Sequence, residues 1–245
     1  MWATISNITS SIVSSDLIFH GGGRTRTLQI LRSPLARRMR LSVDPRDGGV
    51  RLVLPKRGSM REALRWAEAK RDWIEHQLGA LPPTRALTDG TVIEVAGEPL
   101  TVTLVSGRGV KRDGDRLLVA GPQDMLATRL VRWLKKEALA RLQAETDRFA
   151  ALAGITVTGV AVGDPRSRWG SCSARGDIRY SWRLILAPYE VLEATAAHEV
   201  AHRLHMDHSP AFHAAVKRLL GRDPSPERSW LRANGASLHW LGRDP

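Results

Sequence analysis

Residues 198 to 208 read His-Glu-Val-Ala-His-Arg-Leu-His-Met-Asp-His, so four histidines and one glutamate crowd into a single short stretch. On a helix, His198 and His202 lie one turn apart on the same face. Two imidazoles about 6 Å apart can close on one small cation. Glu199 is rotated roughly 100° from His198, so it flanks such an ion instead of binding it. From there it can take a proton from water and pass it on. Ala196, Ala197, Val200, Ala201 and Leu204 make the surrounding helix mostly apolar, which puts these polar groups in a buried or cleft-lining position. A buried glutamate beside two histidines is costly unless a cation compensates it. The pattern points to a single Zn²⁺ ion and metal-assisted hydrolysis.

A third ligand must come from outside that helix. His205 projects on the same face as His198, but seven residues of helix rise about 10 Å, too far for one ion with bonds of about 2.1 Å. The chain has to turn back first. Asp207-His208-Ser209-Pro210 supplies the turn, with Ser209 as N-cap and Pro210 in the first position of a following helix. His208 sits in that turn and is the preferred third ligand. His213 and the carboxylate of Glu227 are the alternatives. Tyr180, His205, His213 and Arg183 are candidates to stabilise a developing oxyanion.

The elements that would hold these residues can be read from periodicity. Residues 1–23 read as a weakly ordered tail or an added strand. Met39–Val43 and Val50–Leu54 flank the turn Asp44–Gly49, a hairpin pattern. Arg37, Arg38, Arg40 and Arg51 cluster near it; protection of an exposed edge strand is the preferred reading over phosphate contact. Ser59 to Leu81 reads as one helix with a Ser59/Glu62 capping box and with Trp66 and Trp73 in the core. Residues 90–120 return to strand pattern and are expected to join the earlier strands in an antiparallel sheet. A long helix runs from Pro122 to about Ala153 on Leu126, Leu130, Trp133, Leu134, Ala138, Leu142 and Phe149. Ile155–Val162, Trp169–Ser173 and Ile178–Leu186 read as strands. One of them is the candidate edge for binding an extended peptide by strand addition. Pro188 starts the metal helix, and Pro226 starts a last short one. No internal sequence repeat is evident.

Arg168-Trp169-Gly170-Ser171-Cys172-Ser173, then Ile178 to Leu184, Ala187-Pro188, and the His198 to Phe212 stretch together resemble the YgjP-like metallopeptidases, bacterial members of the zincin group. The resemblance spans residues 24 to 240 and is densest over 165 to 213. It implies a zincin-like α+β fold with His198, His202 and His208 as metal ligands and Glu199 as the catalytic residue. Three positions depart from the family pattern: Asp207 where Asn is usual, His213 where Trp is usual, and Ser181 where Asn is usual. The expected organisation is a tail (1–23), a β-rich region with one helix (24–121) and a zincin-like catalytic region (122–245).

Composition bounds the remaining choices. With 245 residues and 42% hydrophobic content, the chain can bury a real core in one large or two small domains. It contains no apolar run of the length a membrane span needs, and its start lacks the basic and apolar segments of a secretory signal. The single cysteine, Cys172, excludes an internal disulfide and fits a reducing cytoplasm; it reads as structural. A net charge of +12 favours an acidic partner, whether nucleic acid, anionic membrane or protein. Two function classes follow: a zinc endopeptidase acting on proteins or peptides, and a nucleic-acid-associated zinc protein or a protease of nucleic-acid-bound proteins. Oligomeric state is not written in the sequence.

Overall fold

The structure, a computed structural model, describes residues 12–242. The chain divides into two compact units, one ending at Thr84 and one beginning at Arg85. The strands of 92–120 therefore group with the helix that follows them, and not with the earlier strands as their pattern suggested. Among the described residues, no helix is long and apolar enough to cross a membrane.

In the first unit, β1 (Ile12–Gly21), β2 (Arg24–Ser33), β3 (Arg40–Val43) and β4 (Val50–Pro55) form a sheet of order β1-β2-β4-β3. Residues 1–11 of the expected tail lie outside the described residues. The hairpin of β3 and β4 is antiparallel, as its turn signature required, but β2 and β4 run parallel, so the sheet is mixed. Val50, Leu52 and Leu54 point to one face with Leu28 and Ile30, the period-2 alternation of a half-buried strand. Ala63, Ala67, Ile74 and Leu78 join them in one buried cluster. Those last four come from two helices, α1 (Met60–Glu68) and α2 (Arg71–Gly79), where the sequence suggested one. No glycine or proline stands at the break. At the break Arg71 binds Glu68 at the end of α1, Glu75 one turn further on, and the carbonyl of Ile18 on β1. Ser59 caps α1 by accepting from the Glu62 N–H. Trp73, expected in the core, is 43% exposed.

In the second unit, β5 (Val92–Val95), β6 (Glu98–Val105), β7 (Val110–Asp113) and β8 (Arg116–Ala120) form a sheet of order β5-β6-β8-β7. Its pairings repeat those of the first sheet: antiparallel, parallel, antiparallel. Each sheet is followed by helix, so the chain uses one topology twice although no sequence repeat betrays it. The long helix α3 (Leu126–Ala153) buries Leu126, Leu130, Leu134, Ala138, Leu142 and Phe149, the stripe read from the sequence, and ends on the left-handed Gly154. β9 (Gly159–Gly163), β10 (Gly170–Cys172) and β11 (Asp177–Ser181) make a second, three-stranded sheet of order β10-β11-β9. Trp182–Leu186, expected to continue a strand, is a short 3-10 helix buried in the core. Three helices complete the unit: α4 (Tyr189–Ala201), α5 (Pro210–Leu220) and α6 (Ser225–Asn234).

Candidate metal centre

Helix α4 is buried over most of its length, because Val191, Leu192, Ala194, Ala196, Ala197, Val200 and Ala201 cover nearly all of its faces. Small residues let neighbouring elements approach closely, and the polar side chains near its C-terminal end have little water around them. The helix stops earlier than the spacing suggested. Ala201 is its last residue and His202 its cap, after which the chain tightens through Arg203 N–H to Val200 O and Leu204 N–H to Ala201 O. His205 is therefore not on the helix. Its backbone carbonyl lies 3.2 Å from His202 Nδ1, so a proton on Nδ1 is held there and Nε2 is left with its lone pair outward.

The turn then delivers His208. Ser209 Oγ accepts from the Phe212 N–H and Pro210 takes the first helical position, which fixes the start of α5 and the residue before it. His208 Nε2 comes to 3.3 Å from His198 Nε2. Two ligand atoms on a tetrahedral ion with bonds of about 2.1 Å stand about 3.4 Å apart. His198, His202 and His208 each offer one nitrogen, all within 4.8 Å of one another. Phe212 forms the floor. Its fully buried ring lies with centroid distances of 4.9, 4.5 and 4.8 Å from the rings of His198, His202 and His208.

Electrostatics favour neutral, ligating imidazoles. Burial, helped by the charges of His202 and His208, pushes His198 down to about 3. Burial also lowers His202. Glu199 is 4% exposed, and burial raises its carboxyl to about 8, with Arg168 opposing weakly. Its Oε2 is buried with no hydrogen-bond partner. That unmet acceptor beside three converging nitrogens is the kind of defect a cation and a water would repair, so the donor set fits a metal ion.

Strand β10 seats the glutamate. A Cβ on Gly170 would fall 2.3 Å from Glu199 Oε1 and 2.6 Å from its Cγ and Cδ, so only glycine leaves room for this carboxylate. Gly170 pairs with Tyr180 in antiparallel register, and β10 is an edge of its sheet. An open cleft of about 510 Å³ beside it is lined by Arg168, Ser171, Cys172 and Arg179 among others. The Cys172 thiol donates to the Ser173 carbonyl and is pushed up by burial and by the Glu199 charge.

The alternatives sort themselves by contact. Glu227 is buried but accepts from Arg222 at 3.0 Å, in a network whose other carboxylates belong to Glu193 and Glu145. His213 is exposed, its ring centroid 6.3 Å from that of His208. Of the oxyanion candidates, Tyr180 is fully buried with its hydroxyl against Thr146 Oγ1, and Arg183 is held by Asp164 and the Leu238 carbonyl. Neither makes a hydrogen bond to the histidines among the described residues. The roles of Gly170 and Phe212 were not assigned from sequence. For Phe212, its place one turn after the Ser209 cap is the signal that could have found it.

The family model described as YgjP-like, metallopeptidase domain, matches residues 37–234. The chain belongs to the YgjP-like metallopeptidase family. A search of curated proteins and a search of solved structures each found no match. For a YgjP-like metallopeptidase a metal ion is implied, and among the described residues His198, His202 and His208 are the group placed to hold it.

Proposed function

We propose that the protein is a zinc-dependent endopeptidase in which His198, His202 and His208 hold one Zn²⁺ and Glu199 is the general base. The observation that carries the reading is the convergence of three imidazole nitrogens, with a buried carboxyl on the residue next to His198 whose Oε2 has no hydrogen-bond partner. Three neutral nitrogen donors leave a zinc ion its full charge and an open position, and the ion when bound supplies Lewis-acid polarisation. Glu199 accepts a proton from the attacking water and returns it to the leaving amine. The free edge of β10 offers backbone groups to an extended peptide, and Gly170 brings that edge against Glu199. His202 is held in its ligating tautomer by the His205 carbonyl, and Phe212 keeps the three rings from rotating away.

The test pairs metal analysis with digestion of a broad peptide library. Wild-type protein should contain one zinc per chain and cut within peptides. Glu199→Gln should keep the zinc and lose turnover by about 10²–10⁴-fold. Full zinc-dependent turnover by this variant would remove Glu199 from its role.

A further inference from the structure

The arginines of the first unit are not distributed evenly. At one end of its sheet, in the turn between β3 and β4, Arg51 binds Asp44 and Asp47 and Arg46 binds Asp44. On α2, Arg71 is shared by Glu68 and Glu75. The other end of the sheet lies about 17 Å along β4 from that turn. There Ser33 of β2 pairs with Pro55 of β4, and Arg40 of β3 pairs with Val53. The β2–β3 loop and the β4–α1 loop consequently emerge side by side. Arg32 ties them by donating to the carbonyls of Pro55, Lys56 and Gly58. This juxtaposition gathers Arg37, Arg38, Arg40, Lys56, Arg57 and Arg61, all exposed, with Glu62 as the nearby acid in sequence. None of the six forms an ion pair among the described residues.

We propose that this end of the first unit docks on the phosphate backbone of a nucleic acid. Protection of an edge strand does not account for the cluster: Arg40 alone lies on the edge strand β3, and the other five sit in loops and on α1. Like charges gathered on neighbouring loops without acidic partners repel one another, and a polyanion relieves that repulsion by exchanging its counterions for protein cations. Five of the six cations are guanidinium groups, whose planar forks match phosphate oxygens. A lipid surface fits less well. Leu35, 75% exposed, is the large apolar side chain displayed at this end; Ile18 and Trp73 lie on β1 and α2, and no apolar helix face accompanies Leu35. The surface uses no residue of the metal centre, so the proposal stands apart from the peptidase reading.

Anisotropy of a labelled duplex DNA and of a labelled single-stranded RNA, each about 20 nucleotides long, tests it across a salt series. Four to six phosphate contacts give a log–log salt slope of about −3 to −5. Replacing Arg37, Arg38 and Arg57 by Ser should weaken binding at least about tenfold and flatten the slope by two to three units. Replacing Arg132, Lys135 and Lys136 of α3 by Ser removes the same charge elsewhere and should change affinity less than about threefold. All six positions are exposed, and equal melting temperatures will confirm that the variants fold. Equal losses in the two triple variants would reduce the effect to net charge and overturn the proposal. So would binding of both probes too weak to measure at about 150 mM salt. Tighter, equally Arg-dependent binding to phosphatidylserine vesicles or to polyglutamate would assign the surface to a different partner and also overturn it.

Discussion

The two ends of helix α4 bury charge in opposite ways. Near its start, Glu193 faces guanidinium groups on both oxygens, Arg148 at 2.7 Å and Arg222 at 2.8 Å, and these arginines reach on to Glu145 and Glu227. Tyr189 adds its hydroxyl to Glu145. Near its end, Glu199 forms no ion pair among the described residues, its Oε2 has no hydrogen-bond partner, and the histidine nitrogens converge on one another. In the first arrangement every carboxylate has a guanidinium partner, although Glu227 Oε2 and Arg222 Nη2 make no hydrogen bond, and the pairs tie α3, α4 and α6 together. The second is open, and a cation with a bound water is the kind of group that would complete it. The contrast separates carboxylates paired with arginines from a buried one that forms no ion pair among the described residues.

The comparison breaks most readily at the third imidazole. His208→Ala should weaken zinc binding by more than about 100-fold, since even loss of an outer-shell partner costs 10–100-fold. His205→Ala should change it little, because the contact to His202 comes from the backbone carbonyl and survives the substitution. Zinc titration with a chromophoric competitor measures both.

Gly170→Ala sharpens the picture of the open end. The added methyl displaces the Glu199 carboxylate, and a displacement near 1 Å can cost about 10²-fold in turnover. Zinc content should stay at the wild-type level, which distinguishes misplacement of the base from loss of the metal.

In metal-free protein the two ends should also differ with pH. Glu199 has a folded-state value of about 8 against an ordinary 4.5. Its contribution to stability is therefore full below 4.5 and is lost as pH rises through 8. Glu199→Gln should raise the melting temperature of the metal-free protein more at pH 9 than at pH 5. A pH-independent difference would contradict the burial of an unpaired carboxylate.

The smallest effect belongs to the paired end. Arg148 and Arg222 are each more than a third exposed, so screening reduces what their pairs with Glu193 contribute. Glu193→Gln should cost about 1 kcal/mol, a fall of about 2–4 °C in melting temperature. Zinc affinity and turnover should stay unchanged.

Local chemistry was the legible part of this sequence. The His198–His202 spacing, the Ser209-Pro210 helix start, the β3–β4 turn and the buried stripe of α3 are each written within a few residues, and each is found in the structure. What escaped depends on partners distant in sequence. The grouping of 92–120 is decided by long-range packing in the second unit, and the break near Lys70 is accompanied by Arg71 reaching to the distant Ile18 carbonyl. Gly170 shows its purpose only when Glu199 is laid against it, and nothing in its own neighbours announces that approach. The repeated sheet topology is likewise invisible to residue comparison, since backbone pairing constrains side chains only to alternate.

His208 stands outside any helix, exposed, and separated from its two companions by the short stretch 203–207. A cation held by all three therefore works as a clasp, joining the last turn of α4 to the first turn of α5. Without it, nothing in the imidazole set pulls the corner shut, and unravelling should start there while the apolar body of α4 stays intact. The ion that equips the site for reaction would thus also set where the molecule first comes undone.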